Sequence, residues 1–161
     1  LILDNLSAKT LDGAVGGSLK VILEQPVSLS AGLKFIALDV ARFVDDFNLH
    51  EKFEMTGKLS GDLKVVTQGT KFEILNGNLA SLEPGGVLTI KDKTLLKNMA
   101  ARTKIPAQLF MESFENYQYT IGTVQVGLEE NNAVLNTAFD GKAGPRKLYI
   151  VLHEFTTQPV K

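Results

Sequence analysis

The sequence predicts a mainly β protein: an antiparallel sheet with one apolar and one polar face, accompanied by one or two short amphipathic helices. Three observations carry that reading. Apolar residues recur with a period of two along most of the chain, which is the pitch of a strand whose successive side chains point to opposite faces. The connections between these runs are too short for the crossover helices that parallel strands need. Only two segments switch to helical spacing.

Taken in order, "LILDNLSAKTLDG" reads as a strand and turn. In "SLKVIL" Leu19, Val21 and Leu23 point one way, and in "VSLSAGLKF" Val27, Leu29, Ala31, Leu33 and Phe35 alternate with Ser28, Ser30, Gly32 and Lys34. "LDVARFVDDFN" then places Val40, Phe43, Val44 and Phe47 on one helical face. "GKLSGDLKVVTQG" returns to alternation, with Leu59, Leu63 and Val65 opposite Lys58, Ser60, Asp62 and Lys64. "NGNLASLEPGGVLTIKD" reads as a hairpin: two strand-like runs joined through Glu83, Pro84, Gly85 and Gly86.

A second helical stretch, "DKTLLKNMAARTKIPAQLFMESF", groups Leu95, Leu96, Met99 and Ala100. Pro106 stops or restarts it before Leu109, Phe110 and Phe114. "YQYTIGTVQVGLE" sets Tyr117, Tyr119 and Ile121 on one face, then Val124, Val126 and Leu128, with a change of phase expected near Gly122. "AVLNTAFDG" and "KLYIVLHEF" supply the last two strands, the second a candidate sheet edge running from Lys147 to Phe155.

Composition excludes several function classes. With 44% hydrophobic and 22% charged residues the chain is that of a folded protein, expected to form one segment over residues 1–161. Seventeen basic against eighteen acidic residues give a net charge of −1, so a nucleic-acid partner is not expected. No cysteine is present, which removes disulfides, thiolate metal sites and cysteine nucleophiles together. No run approaches the roughly 18 apolar residues of a membrane span. The chain starts at Leu1 inside a strand-like run, so an anchor or signal is expected outside it.

The search for chemistry finds no catalytic, metal or cofactor site. His50 and His153 each precede a glutamate but belong to no paired-histidine motif. Asp45 and Asp46 are adjacent on a helix and diverge, and Glu129 and Glu130 sit in a turn before Asn131. "DGAVGGS" has neither the spacing nor the following helix of a dinucleotide fingerprint. Two cationic features have a bland and a functional reading. Lys142, Arg146 and Lys147 surround a tight turn, either as a solvated tip or as a head-group site. Lys91, Lys93, Lys97, Arg102 and Lys104 oppose only Asp92, on a helix that either packs on its own sheet or lies on an anionic membrane.

The stretches "GKLSGDLKVVTQGTKFEILNGNLASLEPGGVLTIKD" and "LFMESFENYQYTIGTVQVGLEENNAVLNTAFDGKAGPRKLYIVLHEF" resemble the C-terminal part of the YdbH-type, AsmA-like family, whose closing domain has also carried the label "dicarboxylate transport". The resemblance is best from Gly57 to Phe155. It implies a periplasmic protein of diderm bacteria, part of a longer chain anchored in the inner membrane. It further implies a curved, open β-groove that shields phospholipid acyl chains between inner and outer membranes, and a small outer-membrane lipoprotein pairing with the last strand.

The groove candidates are Leu19, Val21, Leu29, Leu33, Phe35, Leu59, Leu63, Val65, Tyr119, Ile121, Val126 and Phe139, with Lys142, Arg146 and Lys147 at the rim. A sheet with an apolar face must cover it with a second sheet, helices or a ligand, and only two modest helical segments are on offer. Two rivals stay open: a closed β-sandwich without cargo, and an envelope enzyme whose polar side chains converge in a pocket.

Overall fold

A computed structural model describes residues 1–46, 48–69, 71–129 and 132–152. Eleven strands and three helices are present among them: β1 (Ile2–Thr10), β2 (Gly13–Ile22), β3 (Ser28–Asp39), α1 (Val40–Asp46), β4 (Phe53–Met55), β5 (Lys58–Gln68), β6 (Lys71–Ser81), β7 (Gly86–Ile90), α2 (Lys93–Ala100), α3 (Ala107–Glu112), β8 (Tyr117–Tyr119), β9 (Ile121–Glu129), β10 (Asn132–Asp140) and β11 (Arg146–Leu152). Phe47, Glu130, Asn131, His153 and the end of the last strand at Phe155 lie outside the described residues.

Eight strands form one sheet in the order β1-β2-β3-β5-β6-β9-β10-β11, and β4, β7 and β8 form a second, small one. Every strand pair is antiparallel. Among the described residues the large sheet does not close into a barrel, and β1 and β11 are its edges. The observed class is therefore mainly β, antiparallel and open: the alternation predicts the antiparallel strands, the family resemblance implies the open sheet, and three short helices stand where one or two were expected.

Each helix starts where the sequence carries a local signal. The Asp39 carboxylate accepts from the backbone N–H groups of Ala41 and Arg42 at 2.9 and 3.2 Å, opening α1. Asp92 does the same for Thr94 and Leu95 at 2.9 Å each, opening α2. Pro106 is the residue before α3, so it restarts the helical stretch.

One expectation about connections fails and a second is displaced by two residues. β6 and β7 do not pair with one another: β6 lies between β5 and β9 in the large sheet, and β7 between β4 and β8 in the small one. The Glu83–Gly86 step is a transfer between sheets, not a hairpin turn. Gly85 has φ +88°, and a Cβ there would lie 2.0 Å from the Tyr119 carbonyl oxygen, so this route requires a glycine. The second expectation concerns phase. The chain changes sheet at Thr120, between β8 and β9, before Gly122. Ile121 consequently pairs with Asp140 on the polar face and is 61% exposed.

The core lies where the small sheet and the helices cover one end of the large sheet. Val40 and Val44 of α1, Met55, Leu88, Ile90, Tyr117 and Tyr119 of the small sheet, and Leu96, Ala100, Phe110 and Phe114 pack onto Leu59, Val124, Phe139 and Leu148. Phe114 and Tyr119 are the largest fully buried side chains among the described residues. The rings of Phe110 and Phe114 lie 5.2 Å apart, and those of Tyr119 and Phe139 5.0 Å, both tilted as aromatic quadrupoles prefer.

Candidate functional site: an uncovered apolar sheet face

Register decides which side chains share a face, because residues paired across antiparallel strands point the same way. Four rows follow across β1, β2, β3, β5 and β6. Ala8, Val15, Phe35 and Gly61 lead to Leu79; Leu6, Gly17, Leu33 and Leu63 lead to Gly77. Leu3, Leu19, Ala31 and Val65 lead to Ile74; Val21, Leu29 and Thr67 lead to Phe72. Leu1 extends the last row, since its backbone exchanges hydrogen bonds with Val21 at 2.8 and 2.9 Å. The reverse face carries Ser18, Lys20, Ser30, Lys34, Asp62, Lys64, Glu73 and Asn78.

These rows continue the apolar face that the core cluster covers further along. Leu79, Val126, Leu135 and Ile150 border that cluster, but none of the other side chains in the four rows belongs to it or packs against it. Leu1, and Leu3 and Leu6 on β1, are 72%, 40% and 42% exposed. Val15, Leu19, Val21, Leu29, Leu33, Phe35, Leu63, Phe72 and Ile74 are partly exposed, while Val65 is buried among its sheet neighbours. Five strands spaced at about 4.8 Å make the uncovered patch roughly 19 Å wide.

Three one-residue irregularities fall within this region. β1 carries an extra residue between Leu3 and Leu6, where Asn5 has φ 56°; β3 carries one between Phe35 and Leu38, where Ala37 has φ 52°. The Ala37 N–H is satisfied by Ser60 Oγ at 2.9 Å. In β6, Leu75 is the unpaired residue between Ile74 and Asn76. Such bulges bend the strand and increase its local twist. They also return the alternation to the same face afterwards, which keeps the apolar rows continuous.

The candidates from the sequence divide accordingly. Leu19, Val21, Leu29, Leu33, Phe35, Leu63 and Val65 come together on the uncovered face. Leu59, Tyr119 and Phe139 are buried in the core, Val126 borders it, and Ile121 lies on the polar face. Of the three cations, Lys142 and Lys147 are exposed around the β10–β11 turn, beyond β9 and away from the uncovered rows. Arg146 is turned inward: its guanidinium lies 5.1 Å from the Tyr117 ring centroid and 6.0 Å from that of Phe114, and Nη1 donates to the carbonyl oxygens of Gly144 and Pro145.

Sequence reasoning missed Leu3, Leu6, Val15, Phe72 and Ile74. The alternation of Phe72 and Ile74 with Lys71 and Glu73 was a usable signal, but Leu75 follows directly and masks the phase. On β1 the extra residue at Asn5 does the same.

A family comparison matches residues 1–147 to the YdbH-like family, described as "Intermembrane phospholipid transport protein YdbH". The chain belongs to the YdbH-like family. That is a family of transport proteins, not of enzymes, and its description places it in an envelope with two membranes. No curated protein and no solved structure matches the chain.

Among the described residues no three His, Asp or Glu side chains gather as metal ligands, and no helix is long and apolar enough to cross a membrane. The perturbed tyrosines serve structure. Burial pushes the Tyr119 phenol up to about 12, with its hydroxyl donating to the Thr56 carbonyl at 2.6 Å. Burial also raises Tyr117, against the lowering effect of Arg146, while its hydroxyl donates to the Gly144 carbonyl at 2.7 Å. Tyr149 is raised by donating to Glu129 at 2.7 Å. All three remain protonated at neutral pH and offer no base.

Proposed function

We propose that the 161-residue chain is a single groove segment of a longer envelope protein, carrying phospholipid acyl chains between inner and outer membranes on the uncovered rows of β1, β2, β3, β5 and β6. The observation that supports this most is the continuity of the apolar face past the point where the helices and the small sheet stop covering it. Exposed apolar area of this extent on a soluble domain normally marks a binding surface. Each methylene laid against it contributes up to about 0.8 kcal/mol, so the grip comes from chain length and not from one decisive contact. A stripe of this kind lets a lipid slide, because neighbouring rows offer equivalent burial.

In this reading Leu19, Val21, Leu29, Leu33, Phe35 and Leu63 touch the acyl chains, Val65 fills the face beneath them, and head groups stay in water at the rim. Lys142 and Lys147 are open to such contacts near the far edge; Arg146 is engaged with the core. The edge strand β11 is the proposed pairing site for a small outer-membrane lipoprotein, through its unpaired backbone groups. Val151→Pro on that edge abolishes capture of such a partner; unchanged capture removes the pairing.

Native mass spectrometry with lipid extraction tests the groove. Phospholipid co-purifies with the original chain and with Ile121→Asp, whose side chain is on the polar face, but not with folded Leu33→Asp/Leu63→Asp. Lipid-free protein in every detergent-free preparation, or lipid equally retained by the double variant, overturns the reading.

A further inference from the structure

We infer that the tip of the α2–α3 hairpin, residues 101–109, is a docking device for an anionic phospholipid bilayer, separate from the groove that holds individual lipids. The inward face of this hairpin is already committed: Leu96, Ala100 and Phe110 are buried in the core, with Leu95 and Met99 packed beside them. The tip is not. Residues 101–109 are exposed without interruption, and among them Ile105 and Leu109 are large apolar side chains left 52% and 58% in water.

The tip is nonetheless built. Thr103 Oγ donates to the Ala100 carbonyl at 2.9 Å and accepts the Ile105 N–H at 3.3 Å, and the backbone N–H groups of Arg102 and Thr103 close onto Met99 and Ala100. Two apolar side chains are thus presented on a fixed turn, not on a loose one.

Charge identifies what the tip meets. From Lys91 to the end of α3 at Glu112 the hairpin holds five cations and two acids, in a chain whose net charge is −1. Of the acids, Asp92 is occupied in capping α2 and Glu112 accepts from Gln108 Nε2, and Lys91 is paired with Glu54. Lys93, Lys97, Arg102 and Lys104 are exposed, and among the described residues none of them has a salt-bridge partner. Cations that flank exposed Ile and Leu complement a negatively charged bilayer whose head groups take the charge while the boundary beneath takes the apolar side chains. A free anion would satisfy the cations alone and leave Ile105 and Leu109 in water.

The test is flotation of the full chain with vesicles of pure phosphatidylcholine or with about 30% phosphatidylglycerol, at low and high salt. Binding is expected only to the anionic vesicles and is weakened by salt. At roughly fivefold per basic residue near a surface, Arg102→Gln/Lys104→Gln lowers affinity about 25-fold. Ile105→Ser/Leu109→Ser lowers it at least tenfold while leaving the cations in place. Because the chain contains no tryptophan, Leu109→Trp is a single reporter whose emission shifts to the blue on anionic vesicles. Equal binding to neutral vesicles, no binding at all, no blue shift, or an undiminished Ile105→Ser/Leu109→Ser variant each overturns the inference. Lipid extraction of the same variants separates this result from the groove: docking variants keep co-purified phospholipid, and Leu33→Asp/Leu63→Asp keeps docking.

Discussion

Replacing Phe114 and Leu33 by alanine in separate variants measures how the apolar face is divided between cover and groove. Phe114 is 1% exposed, with its ring 5.2 Å from Phe110, 6.5 Å from Tyr117 and 6.0 Å from the Arg146 guanidinium. Removing it costs the transfer free energy of the ring plus a cavity that the strands beneath cannot collapse to fill, about 3–5 kcal/mol. Leu33 sits in the middle of the uncovered rows, between Gly17 and Leu63, and already touches water. Its truncation forfeits only part of a leucine's burial, about 1 kcal/mol. In a chain of this size each kcal/mol moves the thermal midpoint by roughly 2–4 °C. Calorimetry on lipid-stripped protein is therefore expected to show a loss of roughly 6–20 °C for Phe114→Ala and only a few degrees for Leu33→Ala. Equal losses would refute the division, because they would mean that the rows around Leu33 are packed as tightly as the core. Adding phospholipid raises the midpoint of the original chain by linkage and raises that of Leu33→Ala less.

Three further outcomes are expected. Tyr119→Phe loses the hydrogen bond to Thr56 and about 1 kcal/mol. The same phenol is held at about 12 against an ordinary value of 10.0, so its contribution is complete below pH 10 and is lost as pH rises toward 12; urea midpoints across that range flatten in the variant. Gly61→Ala, whose Cβ would lie 2.0 Å from the Asn78 carbonyl oxygen on the neighbouring strand, costs roughly 1–3 kcal/mol. Gly32→Ala on the next strand meets nothing nearer than Ser18 Oγ at 3.8 Å and changes the midpoint little; comparable losses at the two sites would contradict the close strand approach at Gly61. Asp92→Ala removes the cap of α2 and about 1 kcal/mol, read as faster amide exchange at Thr94 and Leu95.

The sequence by itself determined the class of structure and the existence of an apolar face. Alternation in "VSLSAGLKF" and "GKLSGDLKVV" is enough, since a strand has only two sides and the polar residues claim one of them. It also set the helix starts, because Asp39, Asp92 and Pro106 act within their own turns. Which strand neighbours which was decided by tertiary structure alone. β6 and β7 follow one another through a turn-like sequence and yet enter different sheets, because Gly85 packs against the Tyr119 backbone some thirty residues later in the chain. For the same reason Ile121 and Tyr119, two residues apart and in one phase of the sequence, end on the polar face and in the core: the change of sheet at Thr120 breaks the alternation they were expected to share. The division between covered and uncovered rows is likewise invisible in any one strand, since Leu59 and Leu63 occupy equivalent phases of β5 and differ only in what the helices and the small sheet reach.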